Sequence, residues 1–357
     1  MKALRILAGP RARCHLQDFG FRAGDVRVVP GAAGGPKGLV LNPLDRFIFG
    51  HFLRDAPQPV HLLGASIGAW RLACACLGDA DAALAQMAED YITQRYDHAP
   101  GHRPSAREVS RVFGHTIDER LVTRAAELLS HPTRRLHVFT SRGRHLLARE
   151  GRWRTPLGYL GAFAANAGNR RALGAWLERV VIADPREALP FVLSDYPSRV
   201  VALTPANLGP ALLASCSIPF WLDAVHHIPG APRGAYWDGG ITDYHLHLPY
   251  AGMAAGLVLY PHFQAQVIPG WLDKAWQRRH RASPALANVV LLAPDPAWVK
   301  TLPGGKLPDR ADFKAYGDDS AGRQNAWRRA LAESQRLADE FAEIVAGARP
   351  VTAEPLL

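Results

Sequence analysis

The chain has 357 residues, a net charge of +10, and 48% hydrophobic against 21% charged residues. That balance supports a sizeable core and excludes disordered, collagen-like and coiled-coil chains. No apolar stretch approaches the ~20 residues that a membrane-spanning helix needs.

Near the start, the apolar patch at residues 6–9 is shorter than the roughly 7–15 residues of a secretory core, so no signal peptide is expected. Residues 25–30 form a β-rich run ending in a glycine cluster at 31–38. A helical pattern follows, carried by Leu39, Leu41, Leu44, Phe47, Ile48 and Phe52, with Pro36 suited to its first turn. Residues 60–63 are a second short apolar strand, and 67–77 are apolar nearly all round, as in a buried helix. Strand, glycine turn and helix, given twice, predict an α/β fold with a mostly parallel central sheet between helical layers.

Residues 80–130 read as helices, interrupted by an exposed loop or lid at 97–105. Strands are expected at 136–140, 180–182, 199–203, 235–237, 257–260 and 289–292, with helices at 161–176 and 205–215. One long helix is expected over 317–345, with Trp327, Leu331, Leu337, Phe341, Ile344 and Val345 on one stripe. No repeat or linker divides the chain, so a single domain is expected over residues 1–357, its motifs lying in about 25–250.

The four cysteines, Cys14, Cys74, Cys76 and Cys216, are too few and too irregular for a disulfide framework or a zinc site. A reduced, cytoplasmic compartment fits them. Cys74 and Cys76 lie two apart on a predicted helix and read as core, and Cys216 as a small packing residue. Of the 42 basic residues 36 are arginine, without a long run or a zinc-finger or RNA-recognition signature. Nucleic acid is therefore not expected as a partner. The charge suits transient, peripheral contact with an anionic membrane surface.

Gly64-x-Ser66-x-Gly68 stands between a predicted strand and a predicted helix, the context of a nucleophile elbow. The cluster Ala33-Gly34-Gly35-Pro36-Lys37-Gly38 also joins a strand to a helix, so its free N–H groups suit an oxyanion hole or a phosphate loop. It fits neither a Walker A motif nor a dinucleotide fingerprint. Asp238-Gly239-Gly240 alone reads first as a hairpin turn. A Ser-His-Asp hydrolase is one alternative, with His262 as the base. His245-x-His247, on a strand, would turn both rings to one face and suit a metal; hydrogen-bonded structure is the commoner role, and no metal is assigned.

Together these segments resemble the patatin-like phospholipase family. Its glycine loop corresponds to Gly34-Gly35-Pro36-Lys37-Gly38, its nucleophile motif to Gly64–Gly68 and its distant Asp-Gly-Gly to 238–240. The run Ala214–Phe220 resembles the family's small residues before Ile-Pro. The sequence departs at Ala33, where the family usually has a third glycine, and at Asp243-Tyr244, where an Asp-Asn pair is common. The resemblance implies a three-layer α/β/α fold and a Ser66–Asp238 dyad that hydrolyses lipid esters through an acyl-serine, without a cofactor. Backbone N–H groups of Gly34, Gly35 and Lys37 would form the oxyanion hole, Pro36 having none. Gly64, Gly68, Gly239 and Gly240 would support the two turns. An esterase acting on short acyl chains or polyesters, and a non-catalytic lipid-binding protein on the same scaffold, remain alternatives. Oligomeric state is not encoded in any motif.

Overall fold

The computed structural model describes residues 1–97 and 104–356. The loop expected at 97–105 falls largely on 98–103, outside the described residues. At its far end Ser105 caps the helix Ala106–Arg120, its side chain accepting the Glu108 N–H at 3.1 Å.

Among the described residues eleven strands form one sheet: β1 (Leu4–Ala8), β2 (Val26–Gly31), β3 (Val60–Ala65), β4 (Arg134–Gly143), β5 (Leu177–Ala183), β6 (Ser198–Ala202), β7 (Val225–His226), β8 (Ala235–Asp238), β9 (Leu257–Pro261), β10 (Val289–Pro294) and β11 (Glu354–Pro355). The order is β11-β1-β10-β9-β2-β3-β4-β5-β6, with β8 paired to β4 and β7. The five central strands, β10 to β4, are parallel, as the strand–turn–helix repeats predict. Central strands β3, β9 and β10 are buried along their whole length, whereas β6 at the edge has no buried residue. β1 is absent from the sequence reading because its five residues are followed at once by Pro10 and Arg11, and nothing local marks a strand. Its pairing is tertiary: it lies antiparallel to β10.

Helices cover both faces. On one face Trp70, Leu72 and Phe113 pack in the larger core cluster; on the other, Leu41, Phe139, Tyr244 and Phe263 do. The segment after the glycine loop changes winding twice, from 3₁₀ (Gly35–Leu41) through α (Asn42–Phe47) to a π turn (Ile48–Phe52). The helix expected at 161–176 begins earlier, at Arg154, and ends at Gly168. Extended Asn169 then separates it from the 3₁₀ turn Arg170–Ala175.

Residues 317–345 form two helices, not one. Gly317, at φ 51°, keeps the first residues out, and Ser320–Glu333 starts only after Asp319 has capped Gly322 N–H. At Ser334 the hydroxyl donates back to Ala330 O at 2.6 Å, and the second helix, Gln335–Val345, begins at the next residue. Such back-bonding bends helices. The apolar stripe is nonetheless core: the Phe341 ring meets Phe21, Phe47 and Phe52 edge-on. No described helix is long and apolar enough to cross a membrane.

Candidate active site

β4 brings the two halves of the site together. One of its edges pairs with β5; the other pairs first with β3, up to Ala65 opposite Phe139, and then with β8, starting at Asp238 opposite Thr140. The end of β3 and the end of β8 are therefore neighbours, although 172 residues separate Ser66 from Asp238. The Ser66 hydroxyl donates a 2.6 Å hydrogen bond to Asp238 Oδ2.

Ser66 lies between β3 and the helix Ile67–Ala75 at φ 56°, ψ −130°, a conformation costly for a residue with a side chain. Neighbouring contacts hold it there. A Cβ on Gly68 would stand 1.9 Å from Gly31 O, so the helix can approach β2 only with glycine at that position. We expect Gly68→Ala to separate the helix from β2 and lose both stability and activity, measurable by thermal unfolding and ester turnover. The Ser66 N–H donates to Ser215 Oγ at 2.9 Å, and Ser215 Oγ donates to Phe139 O at 2.7 Å. The same run fixes the partner: Asp238 N–H donates to Ser217 O and Gly239 N–H to Ser215 O. Residues 215–217 are thus the brace between the Ser66 turn and the Asp238 carboxylate, a role that the sequence did not disclose for Ser215.

Asp238-Gly239-Gly240 is not a hairpin. It leaves β8 and enters the short helix Gly240–Asp243, so the Gly240 N–H reaches Asp238 Oδ1 at 2.7 Å. Burial pushes the Asp238 carboxyl above the usual carboxylate range; the bond from Ser66, the charge of Arg310, the Gly240 N–H and the charge of Lys274 all pull the other way. Asp243 is structural: with Asp195 it pairs the fully buried Arg179.

The glycine loop packs on both partners. A Cβ on Gly240 would meet both the Ala33 methyl and Asp238 Oδ1, and one on Gly38 would meet the side chains of Ile67 and Arg71. Gly35 takes the left-handed region at φ 58°, whereas Ala33 does not, so alanine costs nothing where the family usually has a third glycine. The N–H groups of Gly34 and Gly35 have no acceptor among the described residues. Beneath the loop, Arg71 makes a buried two-pronged pair with Asp45, at 2.7 and 2.8 Å, tying the helix after Ser66 to the helix after the loop.

Three cations gather here. Lys37 Nζ lies 5.6 Å over the Phe263 ring, whose edge sits against Gly34. Arg310 lays its guanidinium against Gly35, 3.2 Å from where a Cβ would be. Lys274 Nζ stands 3.9 Å above the ring of Tyr244, whose carbonyl accepts the Ala33 N–H. None of the three has a carboxylate in salt-bridge contact among the described residues. Burial and the charges of Lys37 and Arg310 bring Lys274 down to about 8, against the opposing pull of Asp238. Lys274 and Arg310 carry no motif, and sequence reasoning missed both.

The histidine alternatives are used elsewhere. His262 is buried, with Nδ1 beside the Gln264 N–H at 3.0 Å, and burial pushes its ring down to about 3. The Ser66 hydroxyl is bonded directly to Asp238, with no histidine between them. His245 and His247 do not lie on a strand: Leu246 between them sits at φ 44°. His245 Nδ1 accepts the Ile268 N–H, and His247 Nε2 meets Ser283 Oγ. Cys74 and Cys76 are buried, as expected of core residues, and Cys216 is buried at the site.

A family model described as patatin-like phospholipase matches residues 46–245, a span that contains Ser66 and Asp238 and begins beyond the glycine loop. Among solved structures the chain is similar to VipD from Legionella pneumophila, with 11% identity and a TM-score of 0.39 over 88% of this chain and 67% of that one. No curated protein matches. The family match spans more than half of the chain and both halves of the site, and the chain belongs to the patatin-like phospholipase family.

Proposed function

We propose that the chain hydrolyses lipid carboxylic esters through an acyl-serine formed on Ser66, with Asp238 as the base. Family membership implies lipid acyl hydrolysis in general. The observation that carries the finer reading is the direct 2.6 Å bond from the Ser66 hydroxyl to the Asp238 carboxylate. Ser66 Oγ attacks the ester carbonyl while its proton passes to Asp238 Oδ2. The tetrahedral oxyanion is met by N–H groups of Gly34, Gly35 and Lys37, and the N-terminus of the helix Ile67–Ala75 favours the same charge. Collapse releases the alcohol, which takes the proton from Asp238. Water then repeats the sequence, is deprotonated by Asp238 and frees the acid.

An isolated carboxylate is a weak base for a hydroxyl; burial raises its proton affinity and so improves the match. Only the ionised carboxylate accepts the proton. The acid limb of kcat/KM on a soluble ester is therefore expected above pH ~4, the ordinary carboxylate value, because burial raises this one. An acid limb at or below that value would contradict Asp238 as the base.

Lys37, Lys274 and Arg310 favour a substrate with an anionic group near the scissile ester, such as a phosphate diester. Lys274 has Lys37, Arg310, Asp238 and Tyr244 around it and loses its charge as pH rises through about 8. KM for an anionic ester is expected to climb through that pH, while KM for a neutral ester of equal chain length stays level. Lys274→Met should raise the anionic KM by about 10-fold or more at pH 7 and remove this rise. Equal behaviour of the two esters would remove the headgroup assignment and leave the short-chain esterase reading.

A further inference from the structure

The helix Arg154–Gly168 is apolar on two sides. Its inner side is core: Tyr159 packs edge-on against Trp237, the residue before Asp238. Its outer side begins with Trp153, 72% exposed, and continues with Leu157 and Leu160, the latter 65% exposed. The spacing of four and then three residues puts these side chains on one stripe. A further exposed ring borders the inner side of the same helix, close to the site. Phe220, 63% exposed, lies with its ring 6.2 Å from Tyr159 and holds a left-handed φ of 70°, a strained conformation for an aromatic residue that keeps the ring turned outward. Phe220 follows the run that braces Ser66 and Asp238.

The segment that carries this stripe is rich in one charge. Residues 142–171 contain seven arginines and one glutamate. Arg142 pairs with Glu178 and Arg170 with Asp273; Arg144, Arg149, Arg152, Arg154 and Arg171 have no carboxylate partner among the described residues. The glutamate, Glu150, is engaged by the Ala224 N–H. The Arg152 guanidinium lies 5.5 Å over the Trp153 ring. Aromatic and aliphatic side chains outward on a segment rich in arginine are the composition of a surface that lies in a membrane interface. A second copy of the chain suits it poorly. A two-fold contact sets a patch against itself and would bring arginine to arginine.

We propose that Trp153, Leu157, Leu160 and Phe220 insert into the interfacial layer of an anionic bilayer, held there by the arginines of the same segment, and thereby hold the chain at the lipid surface. The purpose of this docking rests on the hydrolase reading; the binding itself does not.

The test is co-sedimentation with vesicles of equal parts phosphatidylcholine and phosphatidylglycerol, and with pure phosphatidylcholine vesicles. Wild type should partition onto the mixed vesicles. The double variant Trp153→Ser/Leu160→Ser should lose about tenfold or more of that partitioning while keeping the wild-type melting temperature, since both side chains are already in water. Arg152→Gln/Arg154→Gln should weaken binding to the mixed vesicles and flatten its dependence on salt, with no change on pure phosphatidylcholine. Unchanged partitioning of the apolar variant would overturn the proposal. So would a wild-type dimer, seen by analytical ultracentrifugation, that the apolar variant dissolves while wild type ignores vesicles. Ser66→Ala should bind vesicles as wild type does. If it also keeps wild-type turnover, the hydrolase reading fails and the docking surface stands.

Discussion

Ser66→Ala and Asp238→Asn are each expected to lower kcat/KM on a soluble ester by about 10⁴-fold, and the double variant is expected to be no worse than either. In the proposed mechanism the hydroxyl and the carboxylate act on one proton, so removing either would abolish the step that both serve. Multiplying effects would mean two independent contributions and a different base. Asp238→Asn carries a second signature, in stability. The folded-state pKa of Asp238 lies above its unfolded value, so the native state binds more protons and wild-type stability falls as pH rises from about 4 through the raised value. Asparagine does not ionise. Urea unfolding at a series of pH values should therefore show the balance moving toward the variant as pH increases over that window.

The largest effect on folding is expected at Asp45. Its carboxylate and the Arg71 guanidinium are both nearly inaccessible and pair through two bonds. Asp45→Ala leaves a buried guanidinium uncompensated and should cost about 3–5 kcal/mol in chemical unfolding. Asp45→Leu/Arg71→Met replaces both charges with apolar bulk and should recover most of that loss. If the double variant is as unstable as the single one, desolvated charge is not the cause. The pair also bears on the site, because it joins the helix after Ser66 to the helix after the glycine loop.

The parts of the site that are legible in the sequence are those with local signatures. Gly64–Gly68 and the glycine loop each need small residues in a strand-to-helix turn, and the structure puts both there. Asp238 was ambiguous alone, since Asp-Gly commonly makes a hairpin; its place is decided by β8 pairing with β4, a contact across about a hundred residues. β1 is invisible for the same reason, being defined by β10 and not by its own pattern. The break at Ser334 is hidden because the apolar stripe continues across it, and a serine inside a helical pattern is no stop signal by itself. Lys274 lies in the short 3₁₀ turn Trp271–Ala275 and Arg310 caps the six-residue helix Ala311–Tyr316, elements too short to carry a readable periodicity. The outward stripe of Trp153, Leu157 and Leu160 is hydrophobic on a helix that also has a buried face, and sequence periodicity does not tell which apolar face meets solvent.

Covalent trapping tests the central claim most directly. A fluorophosphonate probe followed by peptide mapping should place one label on Ser66, with no label on Ser66→Ala and far slower labelling of Asp238→Asn. A label on another residue, or wild-type labelling of Asp238→Asn, would contradict a serine activated by that carboxylate.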